Sequence, residues 1–108
     1  MQDRCRAAGT ELHAEQQTLL VREPFEIDQR AELVAVVRAT AADALGETPR
    51  IGGASYWADA AFIAAAGIPT VLFGPGGEGA HAVEEWVSLS DTEAVARILI
   101  GVAAGLCA

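Results

Sequence analysis

A chain of 108 residues can bury one modest hydrophobic core, so chemistry that needs two complete domains needs residues beyond it. Its 15 acidic side chains outnumber 7 basic ones for a formal net charge of -8. The scattered arginines, from Arg4 to Arg97, form no stripe that could follow a phosphate backbone, which excludes nucleic acid as a partner. The longest apolar stretch, residues 60–73, is interrupted by Gly67 and Pro69 and falls short of the roughly 20 residues needed to span a bilayer, which excludes a membrane segment there.

Taken in chain order, residues 1–8 read as a short helix stopped at Gly9, and Thr18, Leu19, Leu20 and Val21 read as a strand that Pro24 ends. Asp28 is the expected N-cap of a helix. Its apolar positions Leu33, Val36, Val37, Ala41, Ala44 and Leu45 follow the helical period, and Gly46 supplies the stop. Beyond Pro49 a loop of small residues, Gly52 to Ser55, leads into a helix over 59–66 closed by Gly67. Pro69 permits a strand only at its beginning, so 70–73 is the expected strand. A glycine-rich loop over 74–81 follows, then a short strand over 86–89. Ser90 with Glu93 forms the pattern of a capping box for a last helix, whose inward face is Ala94, Val95, Ile98, Leu99, Val102 and Leu106. The pattern is mixed α/β throughout.

Cys5 and Cys107 lie near opposite ends and form no C-x-x-C pair, which argues against a disulfide framework or a cysteine zinc site and favours a reducing, cytoplasmic compartment. The first residues lack the basic-then-apolar layout of a signal peptide, and their abrupt polar start suits a chain that begins partway through a larger protein.

A strand that ends in a glycine-rich loop and delivers a histidine can place a metal ligand at the carboxyl edge of an open sheet. His81 is therefore the candidate. On the residues alone it is either a ligand or a solvated loop histidine, because no second His, Asp or Glu stands at a standard offset such as H-x-x-x-H. A phosphate loop is excluded by its absent lysine and by the strand, not a helix, that follows the glycines.

Three runs in a fixed order narrow the choice: Tyr56-Trp57-Ala58-Asp59-Ala60, then Gly67-Ile68-Pro69 with the apolar residues after it, then His81-Ala82-Val83-Glu84-Glu85. Together they resemble the closing motifs of a di-zinc amidohydrolase family that includes acetylornithine deacetylase, succinyl-diaminopimelate desuccinylase, aminoacylase and glutamate carboxypeptidase. The resemblance covers about residues 17–108.

It implies the C-terminal part of a di-zinc exopeptidase-like catalytic domain, helices on a mixed sheet, over residues 26–108, preceded over 1–25 by the last strand of a lid or dimerisation domain. His81 matches the family's last metal ligand. Glu85 matches the acidic residue after it, with either a role in orienting the loop and the imidazole or none beyond a solvated carboxylate. Tyr56, Trp57 and Ala58 match the turn that faces substrate, although Trp57 could equally be core packing. Asp59 reads either as part of that turn or as a helix-dipole partner. His13 matches no family ligand, and Glu78 and Glu84 have no assigned role.

The family's early His-x-Asp motif, its Glu-Glu pair and its later acidic ligand are missing from this sequence, so no catalytic residue is expected in this chain. The complete enzyme implied would use two zinc ions, with cobalt or manganese possible, to hydrolyse an amide of a small N-acyl amino acid or peptide, a glutamate serving as general base. A homo-oligomer is expected, and the chain alone is expected to be inactive. The competing reading is a non-catalytic α/β domain that uses its apolar faces for oligomerisation or interaction.

Overall fold

The computed structural model describes residues 14–107. The helix expected over 1–8, Cys5 and His13 lie outside those residues. The first described element, α1, spans Glu32–Leu45. It begins three residues later than an Asp28 cap would place it. Asp28 closes a turn instead: its backbone carbonyl accepts from Ala31 N at 2.9 Å and its carboxylate accepts from Arg30 N at 2.9 Å. Asp favours this first turn position because its side chain reaches the backbone two residues on. The Arg30 guanidinium adds an exposed ion pair at 2.9 Å and holds the Asp28 carboxyl below its ordinary pKa. Ala31 occupies the N-cap without a side-chain bond. At the other end Gly46, at φ 78°, supplies the left-handed stop.

The helix α2 is a single short piece, Ala60–Ala65. Its end is built by Gly67, at φ 82°, which donates to Ala64 O at 2.9 Å while Ile68 donates to Ile63 O at 3.3 Å. That pair of bonds is the Schellman arrangement, and a glycine is needed where φ is positive.

Two strands pair antiparallel: β1, Gly77–Glu78, and β2, Trp86–Val87, with Gly77 opposite Val87 and Glu78 opposite Trp86. This two-residue ladder is the only sheet among the described residues. The strands expected over 18–21 and 70–73 have no partner there. Side-chain alternation is nonetheless visible in the second: Val71 and Phe73 turn toward the helices while Leu72 stays exposed. Local alternation selects a face, but a ladder requires a neighbour to complete its hydrogen bonds.

The last helix, α3, spans Leu89–Leu106. Its N-cap is Ser88, whose Oγ accepts from Asp91 N at 3.2 Å, so the cap lies two residues before the one expected at Ser90. Ser88 sits directly after β2, and the strand expected over 86–89 ends at Val87 for that reason. Glu93, expected to complete the capping box, pairs with Arg97 one turn on instead.

Helices α1 and α3 pack on each other around Val37, Ala41, Ile98 and Val102, with Leu33, Val36, Val71 and Phe73 against that cluster. The expected inner faces hold in part: Val37, Ala41, Ile98 and Val102 are buried as their period predicts, and other positions differ. Val34 is buried where Ala44 and Leu45 are exposed, and Leu99 and Leu106 are exposed. The crossing is close at Gly101, where a Cβ would stand 2.7 Å from Thr40 Cγ2. The core is thin. The accessible surface is 9177 Å², against about 5,700 Å² for a folded monomer of 11.2 kDa. The radius of gyration is 19.7 Å, against about 13 Å for a domain of this size. No helix among the described residues is long and apolar enough to cross a membrane.

Candidate functional site: a histidine hairpin beside an arginine-lined groove

Two features hold the candidate residues. The first is the hairpin of β1 and β2, whose connecting loop carries His81. Gly79 O accepts from Ala82 N at 2.7 Å, so residues 79–82 form a turn. Its third residue, His81, has φ 66°, whereas Ala80 does not share the positive region, which is the pattern of a type II turn. His81 is the one non-glycine residue with positive φ among those described. Histidine tolerates this region better than most side chains, at a cost normally seen where function holds it in place.

The loop fits tightly around its glycines. A Cβ on Gly79 would meet Glu84 O at 1.9 Å, and one on Gly77 would meet Trp86 O at 2.2 Å. Glu85 closes the loop from the far side, its Oε2 accepting from His81 N at 3.4 Å. The carboxylate therefore addresses the backbone of His81, and not its ring.

The foot of the hairpin is tied to α3. Ser88 N donates to Gly76 O at 2.8 Å, and Gly76 N donates to Asp91 Oδ2 at 3.2 Å. One short segment thus ends a strand, caps a helix and anchors the histidine loop. Sequence reasoning missed Ser88 and Asp91. The signal was present as Ser followed three positions later by an acidic residue, but Ser90 and Glu93 offered the same pattern two residues on.

His81 is exposed, and no group of three or more His, Cys, Asp or Glu among the described residues could hold a metal ion. The imidazole is a lone donor on a fixed stalk.

The second feature is an open groove of about 1010 Å³ between the segment near Phe25, α1, the loop 49–58 and the segment 71–75. Tyr56, Trp57 and Ala58 line it; His81 and Glu85 do not. Gly74 and Pro75, at the start of the histidine loop, also line the groove. Trp57 is braced, with its indole N–H donating to Glu23 O at 3.2 Å and its ring meeting Phe62 edge-to-face at 5.0 Å between centroids. Tyr56 is exposed, and Asp59 occupies the N-cap position of α2 without a side-chain cap bond. Three arginines that sequence reasoning left scattered, Arg22, Arg38 and Arg50, line the same groove with a single acidic residue, Glu26.

Two packed helices and a two-strand hairpin with a glycine-held histidine loop make a small α-rich fold that is compatible with part of a metallopeptidase. The model of the peptidase family M20/M25/M40 matches residues 11–104, and the chain belongs to that family. Among its relatives, a succinyl-diaminopimelate desuccinylase of Helicobacter pylori strain P12 is 31% identical over 83 residues, covering 77% of this chain and 22% of that protein. The desuccinylase of strain J99 is 32% identical over 83 residues, 77% of this chain and 21% of its own length. An N-formyl-4-amino-5-aminomethyl-2-methylpyrimidine deformylase of Halalkalibacterium halodurans is 31% identical over 77 residues, 70% of this chain and 18% of that protein. The chain spans about a fifth of the length of the curated relatives it matches. No solved structure matches it significantly.

Proposed function

We propose that the chain is the carboxyl-terminal part of a zinc-dependent amidohydrolase acting on a small N-acyl amino acid or peptide, with His81 as the last protein ligand of one of two metal ions. The observation that carries this reading is the hairpin. A histidine kept at positive φ, with two glycines before it, Gly77 and Gly79, that admit no Cβ and a carboxylate on its own backbone N–H, is a ring held out at a set position. A loop shaped this way suits a ligand whose partners come from elsewhere.

The described residues do not compose a zinc site by themselves, since one imidazole cannot hold a catalytic ion and three or four donors are needed. When bound, the metal pair would supply Lewis acidity and a water of lowered pKa. This chain's own contributions are narrower. Glu85 keeps the His81 backbone in place, Ser88 and Asp91 set the hairpin on α3, and Tyr56, Trp57 and Ala58 wall the groove where substrate would lie. Cobalt or manganese would compete for the same nitrogen and oxygen donors.

A domain boundary near residue 25 accords with the burial pattern. Residues 14–24 are exposed throughout, and Phe25 is the first side chain partly covered. Residues up to 25 would then close a lid or dimerisation domain, and 26–108 would finish the catalytic domain.

The test replaces His81 by Ala in the complete enzyme and measures metal content and rate together. Loss of about one metal ion per chain with most of the activity gone, and an unchanged fold, is the expected result. Full occupancy with a near-normal rate would reduce His81 to a surface residue. The chain alone, given zinc and a panel of N-acyl amino acids, is expected to show no turnover, since a general base is also missing from it.

The exposed apolar side chains favour a second reading, a domain that works by association alone. Zinc binding separates the two: tight zinc in the complete protein belongs only to the hydrolase.

A further inference from the structure

Gly76 is the residue at which the chain leaves the groove and enters the histidine hairpin. Gly74 and Pro75 before it line the groove, and β1 begins at Gly77 after it. Both of its backbone polar groups are taken by the start of α3. Its N–H donates to Asp91 Oδ2 at 3.2 Å, and its carbonyl accepts from Ser88 N at 2.8 Å. A Cβ at Gly76 would stand 2.7 Å from that same Asp91 oxygen, and the next atom it would meet is Asp91 Cγ at 3.9 Å. The absence of a side chain is thus what lets the carboxylate reach the loop.

An acid in the first turn of a helix ordinarily complements the helix dipole. At Asp91 that role leaves the side chain's own contact unexplained. The cap of α3 is already made by Ser88, whose Oγ accepts from the Asp91 backbone N–H at 3.2 Å whatever side chain residue 91 carries. The Asp91 carboxylate instead leaves its own helix for a loop backbone 15 positions earlier. Helix α3 in turn packs on α1, whose Val34, Val37 and Arg38 line the groove. Hairpin and groove wall are mounted on one helix pair.

We infer that Asp91 is a positioning residue: by holding Gly76 on α3 it fixes where the His81 hairpin stands relative to the groove, and so where the imidazole meets its metal ion. The inference rests on the ligand reading of His81. A carboxylate oxygen and a carboxamide oxygen both accept from an N–H, so the hold needs an acceptor at this point, whereas the helix dipole needs a charge. Asp91→Asn separates the two roles.

The test measures zinc affinity of the complete enzyme by competition with a chromophoric chelator, and hydrogen exchange over residues 77–87 in the zinc-free protein. Asp91→Ala is expected to weaken one zinc about tenfold, the low end of what losing a group that orients a ligand costs, and to speed exchange in the hairpin. Asp91→Asn should keep both close to native. Asp91 and Gly76 are exposed, so the melting temperature should move little in any variant. Gly76→Ala attacks the same contact from the loop side and leaves α3 intact. It should weaken zinc as Asp91→Ala does, and the double variant should be no worse than Asp91→Ala alone, because only the carboxylate crowds the added methyl. Native zinc affinity in Asp91→Ala or Gly76→Ala would overturn the assignment, as would additive losses in the double variant. Equal losses in Asp91→Asn and Asp91→Ala would give Asp91 to the helix dipole instead. His81→Ala, measured alongside, separates this inference from the reading beneath it. If that variant keeps both zinc ions, the ligand reading fails and the Asp91 assignment falls with it; if it loses one while Asp91→Ala binds as native, the Asp91 assignment alone fails.

Discussion

His81 and the glycine that opens its turn show how much a single backbone angle can decide. Gly79 has φ 77° and faces Glu84 O so closely that any side chain would force the loop apart. Gly79→Ala should therefore cost about 1–3 kcal/mol locally and open the hairpin. Hydrogen exchange at Trp86 and at the Ala82 amide would read it, since the Ala82 N–H is held by Gly79 O. Unchanged protection would mean that the turn is not held as described. A histidine and a glutamate four residues apart are legible in the sequence. That the glutamate reaches the backbone N–H of that histidine, leaving the ring for other partners, is not, because the choice depends on the turn the glycines permit.

At the level of the elements, helix propensity and period located α1, α2 and α3, glycines closed α1 and α2, and a side-chain cap set only the start of α3. Ser88 illustrates the limit. Two overlapping Ser-x-x-acid patterns, Ser88 with Asp91 and Ser90 with Glu93, compete for one helix start. Ser88 prevails because its backbone N–H also bonds Gly76 O and Asp91 also bonds Gly76 N, so one start satisfies the helix and the hairpin together. Ser88→Ala should cost about 1 kcal/mol, with Ser90→Ala near neutral. Ile98 is 1% exposed at the centre of the α1–α3 contact. Ile98→Ala should lose about 2–5 kcal/mol, a large part of what so thin a core can supply, and abolish a cooperative thermal transition followed by circular dichroism. A transition unshifted by Ile98→Ala would show that the two helices do not carry the fold.

At the scale of the whole molecule, the described residues leave many large apolar side chains uncovered. Leu19 and Leu89 are each 84% exposed and Ile100 is 71% exposed, while Leu72 faces away from the core on a segment with no strand partner among the described residues. Large exposed apolar patches and unpaired edges promote association. The chain is accordingly expected to self-associate at micromolar concentration, which size-exclusion chromatography with light scattering would measure. A single monomeric species across that range would show that the exposed side chains are tolerated singly.

The sequence by itself determined the family, the helices and the histidine loop, because periodicity, glycine stops and the ordered motifs from Tyr56 to Glu85 are local properties of the chain. Tertiary structure alone decided three other matters. Val71 and Phe73 pack on helices while forming no ladder among the described residues, since a strand exists only with a neighbour. Tyr56 and Trp57 share a groove from which His81 is excluded. Arg22, Arg38 and Arg50, far apart in sequence, line that same groove. Electrostatic neighbourhoods depend on distance in space, and a list of residues cannot state which of its charges will face the same water.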